Sequence, residues 1–195
     1  MKNDIILAGV GGQGILSIAA IIGYAAVESN LYLKQAEVHG MSQRGGDVQS
    51  HLRLSSDEIA SDLIPQGKAD MIISVEPMEA LRYLPYLGPE GWLITNTEPF
   101  INIPDYPEEE AIMQEIKKLK RNVTLDAGKI AGELGNKKSA NVVILGATSP
   151  FIDIPFALLE DAIRKLFGRK GDDVVAVNLD ALRAGREIAK SEINS

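Results

Sequence analysis

With 195 residues, 45% of them hydrophobic and 24% charged, the chain has the length and composition of one globular domain with a single core. Its 27 acidic residues outnumber the 20 basic ones, and the net charge of −7 argues against a nucleic-acid or membrane-surface partner. Because no cysteine is present, the chain can supply no disulfide, no thiolate ligand to zinc or to an iron–sulfur cluster, and no cysteine nucleophile.

Strands and helices alternate through the first two thirds of the chain. The apolar run Ile5–Ala8 predicts a strand buried on both faces, and a helix follows it over Ile15–Glu28. Proline begins a second predicted helix, Pro77–Tyr86, and a third, amphipathic helix covers Glu108–Arg121. Five further strands are predicted at residues 31–36, 48–54, 72–75, 92–94 and 123–125. This order predicts an α/β fold: a three-layer open sheet with helices on both faces and a Rossmann-like start.

The last third of the chain is predicted to be mostly helical, with helices at residues 127–134, 140–147, 156–167 and 172 to about 190. Val142–Leu145 is short and apolar enough to form a buried strand instead, but we favour the helix. No repeat or low-complexity tract divides the chain, so we predict a single domain over residues 1–195. The amino terminus leads into the first strand without a signal-peptide pattern, and no apolar run is long enough to span a bilayer, so we expect a cytoplasmic protein.

A glycine-rich turn separates the first strand from the first helix. Its residues, Gly9, Val10, Gly11, Gly12, Gln13 and Gly14, match the pattern G-x-G-x-x-G directly between a buried strand and a helix. Glycine permits positive φ and leaves room for a phosphate, and N–H groups at the helix start point towards it. The turn therefore predicts a phosphate or nucleotide site; the alternative is a tight turn that only packs well.

An NAD site would also need an acidic residue at the end of the second strand, where it binds the ribose hydroxyls. Glu37, 23 positions after Gly14, meets that need. However, a second polar, glycine-bearing loop follows Glu37 at the point where a Rossmann unit continues into its next helix. This loop indicates a different kind of site.

Polar groups are concentrated in and beside this second loop. They are His39, Ser42, Gln43, Arg44, Gly45 and Gly46 and, in the following strand, His51 and Arg53. The two histidines lie twelve positions apart without a third ligand at a suitable spacing, so we predict no metal site. Arg44 suits an anion because its guanidinium group binds phosphate or carboxylate through two parallel hydrogen bonds; the alternative is a surface salt bridge.

Three segments, residues 9–15, 36–46 and 50–53, together resemble the gamma-type domain of the 2-oxoacid:ferredoxin oxidoreductases. The resemblance continues through residues 69–70, 76–82 and 91–96 to the predicted helix at 177–185, and so covers nearly the whole chain. The string His39–Gly46 is most similar to the small beta subunit of the indolepyruvate enzymes of this family. The pyruvate, ketoisovalerate and oxoglutarate branches tend to carry other residues there.

This resemblance implies a division of labour between subunits. A large partner subunit would carry thiamine diphosphate, magnesium and 4Fe-4S clusters, decarboxylate the 2-oxoacid and pass electrons to ferredoxin, while coenzyme A (CoA) accepts the acyl group. This chain would be a small subunit, inactive alone, that helps to receive CoA. Gly11, Gly12 and Gln13 would contact a diphosphate or a facing loop, and the loop from His39 to Arg44 would face the subunit junction. The absence of cysteine and of a thiamine-type Gly-Asp-Gly motif fits that role.

The same subunit role in a pyruvate, ketoisovalerate or oxoglutarate enzyme of this family stays open, and so do two functions of other kinds. One is a self-contained NAD-dependent dehydrogenase that uses the glycine turn and Glu37, and the other is a non-catalytic nucleotide-binding module. Glu76 and Asn96, at the ends of the fourth and fifth strands, either border a crevice or cap and turn the chain, and we favour capping. Trp92 is predicted to belong to the core.

Overall fold

A six-stranded mixed sheet with helices on both faces forms the framework of the protein. The computed structural model describes residues 1–39, 45–101 and 103–193, with His39 described in its backbone alone. The strands are β1 (Lys2–Val10), β2 (Tyr32–His39), β3 (Asp47–Ser55), β4 (Ala69–Ser74), β5 (Leu87–Asn96) and β6 (Asn122–Leu125). The helices are α1 (Ile15–Glu28), α2 (Pro77–Arg82), α3 (Glu109–Lys117), α4 (Ala127–Glu133), α5 (Ala140–Thr148), α6 (Phe156–Phe167) and α7 (Asp172–Ile193). The predicted α/β fold with a helical carboxyl-terminal part is confirmed.

The strand order is β2-β3-β1-β4-β5-β6. Strands β1, β4, β5 and β6 are parallel, whereas β3 runs antiparallel to both β1 and β2. Strands β1 and β2 therefore point the same way and are separated by β3. A hairpin takes the place of the helical crossover that a Rossmann unit has after its second strand, as the polar second loop indicated. The ends of β1, β2, β4, β5 and β6 all lie at one edge, here called the carboxyl edge.

Two cores cover the two faces of the sheet. The larger lies under α1 and α4–α7, and the smaller lies under α2 and α3. Ile5 to Ala8 in β1 are fully buried because both faces are covered, as expected for a central strand. Residues 140–148 form the helix that we favoured over a strand. Trp92 packs against Phe151 with ring centroids 4.3 Å apart and joins the larger core, as predicted.

Helix α2 ends at Arg82, four residues earlier than predicted. Pro85 lacks an N–H group and disfavours α-helical geometry in the preceding residue, so the chain continues as a short 3-10 helix, Leu84–Tyr86. Further 3-10 helices lie at Lys137–Ser139, Ser149–Phe151 and Gly168–Lys170.

Helices α5 and α7 cross at very close range through two glycines. A Cβ atom built on Gly185 would lie 1.9 Å from the carbonyl oxygen of Val143, and one on Gly146 would lie 2.0 Å from that of Leu182. Backbone therefore touches backbone at this crossing, which brings the two helices together as one wall beside the carboxyl edge. Within the described part of the chain, no helix is long and apolar enough to cross a membrane.

Candidate functional site

The glycine-rich turn lies at the carboxyl edge and is closed by its own hydrogen bonds. The N–H of Gln13 donates to the carbonyl of Val10 (3.1 Å), and the N–H of Val10 donates to Oε1 of Gln13 (2.8 Å). Gly12 and Gly14 take φ values of +101° and +83°, a region that L side chains rarely adopt. A Cβ atom on Gly12 would meet nothing within 4 Å, so the space beside it is open. The glutamine oxygen therefore shapes the turn, while Gly12 leaves it accessible.

Gly9 and Gly14 serve close packing. A Cβ atom on Gly9 would lie 2.4 Å from a methyl group of Val75, so the end of β1 packs against the residue that follows β4. The carbonyl of Gly14 accepts a hydrogen bond from Nδ2 of Asn141 in α5 (3.0 Å), and a Cβ atom there would lie 2.6 Å from that nitrogen. These contacts fix the turn against both the sheet and α5.

A cleft of about 720 Å³ opens beside the turn, within the size range of small-molecule sites. Its polar lining comprises Gly12, Gln13, Gly14, Ser17, Asn96, Glu98, Asn136, Lys137, Lys138, Ser139, Asn141, Lys170 and Asn178. Apolar residues from α5 and α7 and from the end of α6 complete the walls. The cleft thus joins the carboxyl edge of the sheet to the helical last third of the chain.

Positive charge predominates in this cleft, although the whole chain is acidic. The three cleft lysines, Lys137, Lys138 and Lys170, face a single carboxylate, that of Glu98. Among the described residues, no carboxylate lies within ion-pair distance of these three amino groups. The start of α1 adds to the positive potential, because the first-turn N–H groups carry the positive end of the helix dipole. The cleft suits an anionic ligand.

Asn96 ties three parts of the carboxyl edge together. Its Nδ2 donates to the carbonyls of Val75 (3.3 Å) and Glu98 (3.2 Å), and its Oδ1 accepts from the N–H of Ala127 (3.0 Å). These bonds join the ends of β4 and β5 to the start of α4. Asn96 is therefore a buried turn residue, as we favoured, and it also lines the cleft.

Glu76 is fully buried and caps α2, as we favoured. Its Oε2 accepts from the N–H of Glu79 (2.8 Å). Its Oε1 accepts from the N–H of Phe100 (3.3 Å) and from the hydroxyl of Tyr106. Burial and this carboxylate raise the pKa of Tyr106, so the phenol stays a donor. Glu76 holds the segment after β5 rather than facing the cleft.

The second loop lies beside the glycine turn. The N–H of Gly11 donates to the carbonyl of Gly46 (2.8 Å), so the two loops touch at the carboxyl edge. Gly45 has a φ of +79°. Ser42, Gln43 and Arg44 lie outside the described residues. The site roles predicted for the second loop therefore remain predictions.

Other residues singled out in the sequence have structural surroundings. Glu37 belongs to β2, two strand spacings or about 10 Å from β1, so it does not flank the turn as an NAD-binding acid would. His51 is buried, its Nδ1 accepts the N–H of Ile64 (3.0 Å), and burial together with the charge of Arg53 lowers its pKa. Arg53 makes a two-bond ion pair with the buried Asp4 (2.7 and 3.0 Å). Within the described residues, no group of three or more His, Asp or Glu side chains is placed to hold a metal ion.

Sequence reasoning missed the cleft lysines, Asn141 and Asn178. These residues lie more than 120 positions after the glycine turn, in helical segments whose local pattern indicates only capping and packing. The lysine pair directly after Asn136 was the one available signal, and it equally fits an exposed helix start.

Comparison with known proteins places the chain among keto-acid oxidoreductase subunits. It is 38% identical to indolepyruvate oxidoreductase subunit IorB of Archaeoglobus fulgidus, covering 95% of this chain and 94% of the relative, and 36% identical to IorB of Pyrococcus horikoshii, covering 99% and 98%. Identity to the 2-oxoglutarate synthase subunit KorC of Methanothermobacter marburgensis is 27%, over 96% of this chain and 97% of the relative.

Two solved structures share the fold at 22% identity. The gamma subunit of a keto/oxoacid ferredoxin oxidoreductase from Geobacter sulfurreducens gives a TM-score of 0.71, covering 97% of this chain and 99% of that chain. The 2-oxoglutarate:ferredoxin oxidoreductase of Magnetococcus marinus, solved with 2-oxoglutarate, coenzyme A and succinyl-CoA bound, gives a TM-score of 0.77. The match to the Magnetococcus chain covers 97% of this chain but only 31% of the Magnetococcus chain.

The model of one family matches almost the whole sequence, residues 4–188. Together with relatives more than 30% identical over nearly their full length, this match establishes that the chain belongs to the pyruvate ferredoxin/flavodoxin oxidoreductase family.

Proposed function

We propose that this chain is a single gamma-type domain that acts as the small subunit of an indolepyruvate, or more broadly arylpyruvate, ferredoxin oxidoreductase. The observation that carries the proposal is the set of four IorB relatives that are 35–38% identical over 95–99% of this chain. The 2-oxoglutarate, ketoisovalerate and shared pyruvate/ketoisovalerate subunits are only 24–28% identical over 82–96% of this chain. The indolepyruvate branch is therefore favoured over the other substrates.

The catalytic cofactors belong to a larger partner subunit in this proposal. A chain without cysteine cannot ligate an iron–sulfur cluster through thiolates. Thiamine diphosphate, magnesium and 4Fe-4S clusters, and the transfer of electrons to ferredoxin, are assigned to the partner. The small subunit then supplies binding surface and charge.

The cleft beside the glycine turn fits CoA, whose diphosphate and 3′-phosphate make it strongly anionic. The open space beside Gly12 admits a phosphate, and the three cleft lysines and the start of α1 provide positive charge around it. When bound, CoA supplies the thiol that accepts the acyl group. This chain's part is to hold the nucleotide end: the lysines neutralise phosphate charge, and the turn, fixed by its own hydrogen bonds, leaves room for a phosphate beside Gly12. Gly11, Gln13 and the loop from His39 to Gly46 complete the site or the subunit junction in this proposal.

An NAD-dependent dehydrogenase is a weaker candidate. Because β3 lies between β1 and β2, Glu37 is separated from the glycine turn. It is therefore not at the strand beside β1, where an NAD-binding carboxylate would reach the ribose hydroxyls. The purified chain should accordingly show no NAD binding under conditions in which CoA binds.

Co-purification and assay test the subunit assignment. The chain is expressed with and without a large subunit of the same enzyme type, and reduction of a viologen dye is followed with indolepyruvate, phenylpyruvate or pyruvate. We expect activity only when both subunits are present, with the arylpyruvates preferred over pyruvate. Activity of the small chain by itself, or no association when both are present, would refute the assignment.

Charge-reversal variants test the CoA site. Lys137→Glu in the assembled enzyme should weaken CoA binding about ten- to a hundredfold, since a charge-assisted hydrogen bond contributes about 1.5–3 kcal/mol. Lys117→Glu at the end of α3, on the other face of the sheet, is the matched control and should leave CoA affinity unchanged. Gly12→Ala should weaken binding as well, whereas Gly67→Ala, which has the same open surroundings and a φ of +70°, should not. If calorimetry gave the same CoA affinity for Lys137→Glu and Lys117→Glu, the cleft would be excluded as the CoA site.

A further inference from the structure

The segment that follows β5 exposes three large apolar side chains within a stretch of four positions. Phe100, Ile101 and Ile103, here called the apolar ridge, are 42%, 65% and 41% exposed. Elsewhere in the described chain the large exposed apolar residues are separated along the sequence. Single exposed apolar residues are ordinary, but a group of adjacent ones marks an interaction site.

The apolar ridge is held in place by polar bonds from the protein interior. Oε1 of the fully buried Glu76 accepts bonds from the N–H of Phe100 and the hydroxyl of Tyr106, on the two sides of the ridge. Asn96 fixes the start of the same segment through the carbonyl of Glu98 (3.2 Å). A buried carboxylate thus stabilises a loop whose apolar side chains point to solvent. Ordering a loop before association lowers the entropy cost of binding.

The chain on either side of the apolar ridge is acidic in sequence. Between residues 83 and 116 the chain has no lysine, arginine or histidine, but it has Glu90, Glu98, Asp105, Glu108, Glu109, Glu110 and Glu115. Five of these acids lie within seven positions of Ile103. A complementary surface would pair an apolar depression with lysine or arginine at its rim.

The apolar ridge also lies next to the candidate site. Glu98, two residues before Phe100, lines the cleft, so a partner on the ridge would border the cleft as well. In the Magnetococcus oxidoreductase the matching region makes up only 31% of a longer chain, and in the ketoisovalerate oxidoreductase subunit VorA of Methanothermobacter marburgensis it makes up 36%. In such relatives further parts of the enzyme are joined to this domain covalently.

We propose that the apolar ridge is the docking site for the large catalytic subunit, which receives Phe100, Ile101 and Ile103 in an apolar depression rimmed by basic residues. This inference rests on the proposed function and adds to it the surface that joins the two subunits. A second copy of this chain is disfavoured as the occupant, because the acidic segments that flank the two ridges would face and repel each other.

The test measures association of purified large subunit with variants of this chain by biolayer interferometry. Ile101→Ser should weaken association by about tenfold or more, as expected for a central apolar contact. Leu63→Ser is the matched control, because Leu63 is 56% exposed and lies at the opposite edge of the sheet, between β3 and β4. Tyr106→Phe keeps the apolar surface and removes one bond that holds the ridge, so it should weaken association less than Ile101→Ser. Circular dichroism checks that each variant is folded.

These outcomes distinguish failure of the ridge proposal from failure of the proposed function. If the wild-type pair associates and is active but Ile101→Ser binds as tightly as Leu63→Ser, the ridge proposal is overturned and the subunit assignment stands. If the wild-type pair does not associate, both fail. A change in self-association of this chain, with no change in binding to the large subunit, would assign the ridge to a second copy and overturn the proposal. Replacing Glu108, Glu109 and Glu110 by Gln should slow association at low ionic strength. An unchanged association rate would overturn the proposal that basic residues rim the depression on the large subunit.

Discussion

Replacement of Gly185 by alanine should be strongly destabilising, because the α5–α7 crossing has no room for a methyl group. The new Cβ atom would lie 1.9 Å from the carbonyl oxygen of Val143 and 2.8 Å from the amide nitrogen of Ala147. Since Cβ contacts under 3.0 Å essentially do not occur, the helices must separate by at least 1.1 Å, the difference between 3.0 and 1.9 Å. Both obstructing atoms belong to the backbone, so no side-chain rotation relieves the overlap.

The expected cost follows from two opposing effects. Overpacking a close-packed core costs about 1–3 kcal/mol and sometimes more, and a backbone overlap belongs at the upper end. Alanine recovers up to about 1 kcal/mol of helix propensity relative to glycine. We therefore expect Gly185→Ala to lower the free energy of unfolding by about 2–3 kcal/mol, which corresponds to a fall in Tm of roughly 4–12 °C for a chain of this size.

Urea unfolding, followed by circular dichroism and by fluorescence of the single Trp92, measures this loss. Gly132→Ala in α4 is the control, because its Cβ atom would meet only the flexible side chain of Lys137 at 3.4 Å. That variant should be neutral or stabilised by up to about 1 kcal/mol. A Gly185→Ala protein within about 0.5 kcal/mol of wild type would refute the reasoning. Because α5 and α7 also form a wall of the cleft, Gly185→Ala should weaken CoA binding as well.

Two further predictions concern buried polar groups. Burial and the charge of Arg53 lower the pKa of His51 in the folded protein, so the unfolded chain binds a proton more readily than the folded one. The free energy of unfolding should therefore fall as the pH drops below about 6.5. His51→Gln should remove this pH dependence, which urea unfolding at several pH values measures. Asp4→Asn leaves the Arg53 guanidinium without its charged partner and should cost about 2–3 kcal/mol by thermal or urea unfolding, whereas Asp62→Asn, at an exposed ion pair, should cost less than about 1 kcal/mol. Equal losses for the two aspartate variants, or the same pH slope in wild type and His51→Gln, would contradict these assignments.

Local patterns predicted the elements well, because strand and helix periodicity depend on near neighbours. Helix α1 was predicted with its observed bounds, and each of the six strands overlaps its predicted position. The helix at 140–148 was correctly preferred over a strand. Boundaries differed where a local conflict was overlooked, as at Pro85, which ends α2.

The capping role of Glu76 and the turn role of Asn96 were also favoured from their position at strand ends, and the structure confirms both. What the sequence did not indicate is the third partner of each residue. The bond from Tyr106 to Glu76 spans 30 positions and that from Ala127 to Asn96 spans 31, so neither is visible in a local pattern.

By itself, the sequence determined the class of fold, the glycine turn at the end of β1, the cysteine-free chemistry and the resemblance that the family match confirmed. Only the tertiary structure decided that β3 enters between β1 and β2, which separates Glu37 from the turn. Only the tertiary structure also decided that Lys137, Lys138 and Lys170 line the same cleft as Gly12, more than 120 residues away in sequence. The physical reason is that strand order and the meeting of distant loops depend on burying both faces of the whole sheet. Periodicity records only which face of each element is buried.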